Sequence, residues 1–200
     1  MIQWPHAIMK KKYLMLGSIA FLLLFACCVS SNQYMTNRCL WWDCAPKRNF
    51  HVLDWEVPAN LLPEGVVINH ISTPSEGHGE IEGGGEYILV GYSGAGYLIY
   101  RFPTTRKAIS DFNRIKKRMV DPETGESWQT PSNSTFSSPT ASDLHMACGH
   151  WSNRYRCETV ARYQEYVLFY SSDIDDVLTF VDYEKILFYI DEQISSRLYP

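Results

Sequence analysis

The sequence has no excess of positive charge: 18 Lys and Arg stand against 22 Asp and Glu, a formal charge of −4. Nucleic-acid binding rests on phosphate neutralisation by Lys and Arg, so that class is excluded. The chain is not poor in apolar residues either. At 46% apolar and 14% aromatic it can bury a core, which excludes disorder. No internal repeat is apparent. No apolar run is long enough for an unstrained membrane span. The longest, Tyr13–Ala26, has 14 residues. As a helix it reaches about 21 Å, against about 30 Å of bilayer hydrocarbon.

That run has the layout of an export signal. Lys10, Lys11 and Lys12 form a positive n-region, and the 14 apolar residues form the h-region. The eight residues before Met9 fit no n-region, so Met9 is the expected start. Leu24-Phe25-Ala26-Cys27 then resembles the lipobox of bacterial lipoproteins, with Phe25 where a small residue is commoner. The resemblance implies a diacylglycerol on Cys27, which becomes the first mature residue. Two other outcomes stay open: ordinary cleavage near Cys28-Val29-Ser30 with secretion, or retention of the segment as a short anchor. More than one acyl chain gives stable attachment, at about 0.8 kcal/mol per buried methylene. A chain starting at Cys27 has 15 basic and 22 acidic residues, a charge of −7, which argues against a polybasic grip on anionic lipid.

Beyond the signal junction four cysteines remain: Cys39, Cys44, Cys148 and Cys157. On the exported side disulfides persist. Four cysteines allow three pairings. The local one, Cys39 with Cys44 and Cys148 with Cys157, is the simplest.

Residues 1–26 are thus read as the signal segment and 27–49 as a lipidated tether with a small Cys39/Cys44 knot. Residues 50–200 are read as one domain. "FHVLDW", "GVVINHI", "EYILVGYS", "YLIYRF", "DLHMAC", "RYRCETVARY" and "EYVLFYS" are expected strands. "STPSEGHGEIEGGGE" is too glycine-rich and polar for an element interior, and Gly94-Ala95-Gly96 reads as a hairpin turn. Ala108, Phe112, Ile115 and Met119 share one helical face behind a Thr104 or Thr105 cap. Residues 121–142 read as a long surface loop. Thr179-x-x-Asp182 resembles a capping box and opens a second amphipathic helix. The expected fold is α+β: an antiparallel sheet of about five to seven strands, with two amphipathic helices on one face. This order resembles, in pattern, the PsbP/Mog1-type α+β sandwich.

Candidate chemistry is thin. Gly91-Tyr92-Ser93-Gly94-Ala95 nearly spells a nucleophile elbow, but the elbow needs a helix after the serine and a strand is expected here. His145, Cys148 and His150 are ligand types, yet a thiolate is free for metal only if Cys148 is unpaired. His78, Glu80 and Glu82, and also Asp173, Asp175 and Asp176, lack the geometry of a calcium loop. "RKAISDFNRIKKR" reads as the wet face of a helix. Trp41, Trp42, Trp128 and Trp151 lie in expected loops or hairpin tips, where aromatics stack on sugars or anchor partners.

The sequence therefore points to a lipid-anchored, extracytoplasmic binding or accessory module of the cell envelope, with no cofactor or metal expected. Its partners would be the membrane, through the anchor, and an envelope protein or glycan. The alternatives are an envelope hydrolase with dispersed catalytic residues and a glycan-binding module.

Overall fold

In the computed structural model, which describes residues 6–71 and 79–200, the lysine-led apolar run lies within one helix, α1 (His6–Asn37). The helix continues through Cys27 and Cys28, whose thiols are free and exposed. It runs on into residues read as tether. Among the described residues no helical stretch is long and apolar enough to cross a membrane. Arg38, at φ 58°, takes the left-handed conformation that ends a helix. A tight loop follows, closed by the Cys39–Cys44 disulfide. The Asp43 carboxylate accepts the Leu40 N–H at 2.7 Å within it.

The chain divides into two units, Met1–Cys44 and Ala45–Pro200. The second begins earlier than the expected Phe50. The Ala45 N–H donates to the Pro103 carbonyl at 2.7 Å, and the Arg48 guanidinium donates to Glu165. "FHVLDW" is not a strand. His51 and Asp54 cap each other's backbone around a 3-10 turn at Val52–Asp54. Such local side-chain bonds compete with a sheet ladder.

Among the described residues the second unit is built on one open antiparallel sheet of six strands: β1 (Val67–Ile71), β2 (Glu82–Val90), β3 (Ser93–Arg101), β4 (Asp143–Trp151), β5 (Arg154–Tyr163) and β6 (Tyr166–Asp173). Their order is β1-β2-β3-β6-β5-β4. With helices α2 (Thr105–Lys116) and α3 (Phe180–Leu198), the expected α+β class is correct. Two details of the first hairpin differ. The turn is Gly91-Tyr92, since Val90 pairs with Ser93, so Gly94-Ala95-Gly96 lies inside β3. The run Gly83-Gly84-Gly85 is also strand. Glycine is needed there because a Cβ on Gly85 would stand 1.9 Å from the Tyr97 carbonyl oxygen. The first part of the glycine-rich segment, with His78, lies outside the described residues.

The helices do not share a face of the sheet, as expected, but cover opposite ones. Alternate residues of a strand point to opposite faces. Ala161, Leu168, Tyr170 and Tyr97 pack with Ile186, Ile190 and Ile194 of α3. Val160, Val167 and Ala147 pack with Ala108, Phe112 and Ile115 of α2. Strand β6 opens with an unbroken apolar run, Tyr166–Tyr170, and β5 buries successive residues on both sides from Thr159 to Ala161, so both strands are covered on both faces. The expected caps form: Thr104 accepts the Lys107 N–H, and Thr179 forms a reciprocal box with Asp182. The 121–142 segment contains no helix and only isolated bridges, yet it returns Trp128 and Phe136 to the core.

Cys148 and Cys157 are directly opposed in the β4–β5 register and form the second disulfide. Replacing both by alanine should lower stability by roughly 2.7 kcal/mol, from the entropy of the loop they close. Chemical denaturation measures this; a loss below about 1 kcal/mol would show that the β4–β5 ladder alone fixes the pair.

Candidate functional site

Helix α2 covers only part of its face of the sheet. Over β2 and β3 that face stays open, and Tyr87 and Leu89 are about half exposed. The register explains the groove that results. Across the strands Tyr87 opposes Gly96, Gly96 opposes Ser171 and Ser171 opposes Glu158. Leu89 opposes Gly94, and Leu98 opposes Phe169. The absent glycine side chains lower the floor. The Tyr87 ring leans over Gly96, where an added Cβ would lie 2.9 Å from Cδ1.

The far wall is made by Arg118 at the end of α2 and by Trp151 at the end of β4. Trp151 is braced edge-on by buried Trp128, their centroids 6.4 Å apart. Trp128 is seated on Gly149, where a Cβ would come within 2.2 Å of the indole. The groove encloses about 450 Å³. It adjoins a slot of about 240 Å³ between α2 and the sheet, with Leu98, Tyr100, Ile115 and Phe169 in its lining. The groove's volume is that of a small-molecule site.

Charges ring this apolar surface. Buried Asp173 accepts from Arg154 Nη1 at 2.7 Å, from Arg156 Nε and Nη2 at 3.1 and 2.9 Å, and from the Gly94 N–H at 3.2 Å. Arg114 pairs with Asp111 at 2.6 Å. Arg118 makes no ion pair or side-chain hydrogen bond among the described residues. Nor does the Glu158 carboxylate accept a hydrogen bond there. Burial pushes the Glu158 pKa up, and the nearby Arg156 and Arg118 guanidiniums only partly offset this.

The residues singled out in the sequence are not gathered into one place. Cys27 is exposed on α1. Trp41 and Trp42 are exposed in the first unit, with centroids 6.1 Å apart. Of the four tryptophans, only Trp151 lines the groove; Trp128 supports it from beneath. Cys148 is consumed by its disulfide and is not a free thiolate. His145 points to the opposite face from Cys148, and burial lowers its pKa, with a smaller contribution from Lys116. Cys39, Asp43 and Cys44 bring ligand-type atoms together, but both sulfurs are disulfide-bonded.

Ser93 opens β3 directly after the hairpin turn, and its hydroxyl donates to Asp175. The pocket around it is lined by Tyr92, Arg154, Tyr155 and Asp173 among others, and no histidine is among its described lining residues. Asp175 also accepts the Val177 and Leu178 N–H groups, as a strand-to-helix turn does. Glu82 accepts the Val52 N–H and pairs with Arg101.

A scan against family models finds no match, and a search of curated proteins finds none either. The groove residues Arg118, Glu158, Leu98 and Gly96 are spread over the turn after α2, β5 and β3. No local motif joins them, and only the strand register shows that they meet.

Proposed function

We propose that this protein is a lipid-anchored, extracytoplasmic binding module that takes its ligand in the open groove over β2, β3 and β6. The uncovered half of the sheet face carries the reading. Tyr87, Leu89, Leu98 and Trp151 line a concave apolar surface that no other part of the second unit covers among the described residues. An exposed apolar patch with a polar rim marks an interaction site. The location is supported by the lipobox-like Leu24–Cys27 and by two disulfides, which persist in oxidising compartments. The acyl chains on Cys27 would hold the protein at the membrane. The binding role is favoured over a hydrolase because the groove brings together guanidinium groups and aromatic rings; Ser93 at its edge donates to Asp175, and no histidine is among the described lining residues to act as its base.

The test is the intact mass of the chain extracted from the envelope, with and without reduction. The expected result is a polypeptide starting at Cys27, carrying acyl chains and two disulfides. Cys27→Ala should abolish the acylation and release the chain from the membrane or leave it unprocessed. A full-length, unacylated wild-type chain would overturn the anchoring.

A further inference from the structure

We infer that the groove binds a single-chain amphiphile with an anionic head, its hydrocarbon in the slot between α2 and the sheet and its head on Arg118. This rests on the groove being a ligand site. The slot is walled by Leu98, Tyr100, Ile115, Trp151 and Phe169, which can cover hydrocarbon, and Arg114, Arg118 and Glu158 complete its lining. At about 30 Å³ for a water-sized methylene, its 240 Å³ takes about eight carbons. The chain would continue along the wider groove past Leu89 and Tyr87.

The head is assigned by charge. Four guanidiniums, those of Arg114, Arg118, Arg154 and Arg156, stand on the rim. Asp111 satisfies Arg114, and Asp173 alone serves both Arg154 and Arg156. Arg118 is left over, exposed, at the junction of slot and groove. Glu158 faces the same space and has no hydrogen-bond donor of its own. Against the four guanidiniums stand the three carboxylates Asp111, Asp173 and Glu158, an excess of one cation in a chain whose formal charge is −4. An arginine at the mouth of an apolar slot suits a carboxylate or phosphate head on a hydrocarbon tail. A cationic head would meet Arg118, whose neighbouring carboxylate, Glu158, is not in hydrogen-bond contact with it. A neutral hydroxyl head could accept a hydrogen bond from it but would lack the charge pairing.

The experiment uses the full chain in phosphatidylcholine nanodiscs and three twelve-carbon photoprobes. Each carries a diazirine on the tail and differs only in its head: carboxylate, trimethylammonium or hydroxyl. Crosslinked peptides are mapped by mass spectrometry. The carboxylate probe should label the peptides containing Leu98–Tyr100, Ile115 and Phe169 at least tenfold more than the cationic probe. Arg118→Glu should cut that labelling about tenfold. Glu158→Gln, which removes a repelling carboxylate, should raise it roughly threefold. Equal labelling by all three heads, or wild-type labelling in Arg118→Glu, would overturn the anionic head while leaving the groove a ligand site. Labelling that avoids the groove with every probe would overturn both, even with Cys27 acylated.

Discussion

Replacing Glu165 with alanine should cost the Ala45–Pro200 unit about 3–5 kcal/mol, the range for breaking one side of a buried ion pair. Glu165 is 1% exposed. It occupies the two-residue turn between β5 and β6, beside Gln164, whose φ is 55°. Its carboxylate receives Arg48 Nε and Nη2 at 2.8 and 2.9 Å, a two-pronged contact. Arg101 Nε lies 3.7 Å away, and the Glu165 carbonyl accepts the Phe102 N–H. Without the carboxylate, Arg48 stays largely buried with only Gln164 Oε1 to receive it. Arg101 retains Glu82 at 3.5 Å. Glu165→Gln keeps the shape and should cost less, about 2 kcal/mol. Thermal unfolding followed by near-ultraviolet circular dichroism measures both. A loss under 1 kcal/mol for the alanine variant would mean that water replaces the carboxylate at this turn.

The second large effect is expected at Glu184, on the inner side of α3. Its carboxylate accepts four hydrogen bonds from the long loop: the Ser134 hydroxyl at 2.8 Å, the Thr135 N–H at 2.7 Å, the Thr135 hydroxyl at 2.9 Å and the Phe136 N–H at 2.9 Å. These bonds seat Phe136 against Phe188, with centroids 4.9 Å apart. Glu184→Ala strands those donors and frees Phe136, a cost of about 3 kcal/mol. The same bonds give a pH signature. Burial alone pushes the Glu184 pKa up, but the four donors outweigh it and hold the folded value below the ordinary range. The contribution is therefore complete above about pH 4.3, the ordinary glutamate value, and is lost as pH falls through the depressed folded one. Glu184→Gln should flatten that acid limb of the stability profile. An unchanged limb in Glu184→Gln would show that other carboxylates set it.

Several elements were legible because their signals are local. "RYRCETVARY" matches β5 residue for residue, and the Thr104 and Thr179 caps lie where hydroxyls precede apolar helical faces. The cysteine pairs join near neighbours in sequence and form as the simplest pairing has it. What was not legible depends on partners far along the chain. Gly84 and Gly85 look like loop residues until Leu53 and the Tyr97 carbonyl are seen occupying the space of their side chains. The choice of opposite faces for α2 and α3 depends on both sides of β5 and β6 being apolar, and density of Tyr and Val alone does not separate a strand buried once from one buried twice. The groove was the least legible feature. Its cations lie on α2 and β5, its floor on β3 and β6, and two of its key positions are glycines, which leave no chemical signature. The tryptophans drew notice as exposed aromatics, yet Trp128 is buried and acts by bracing Trp151.

The strand order has a consequence for biogenesis. Strands β1, β2 and β3 follow one another in the chain and form one meander; β4, β5 and β6 form another. They meet only where β3 zips against β6, the last strand to be synthesised. A polypeptide emerging amino-end first therefore presents the inner edge of β3, with Tyr97 and Ile99, long before its mate exists. Were the chain exported as proposed above, passage through a narrow channel would hold it extended until its mate had crossed, and central closure would follow delivery.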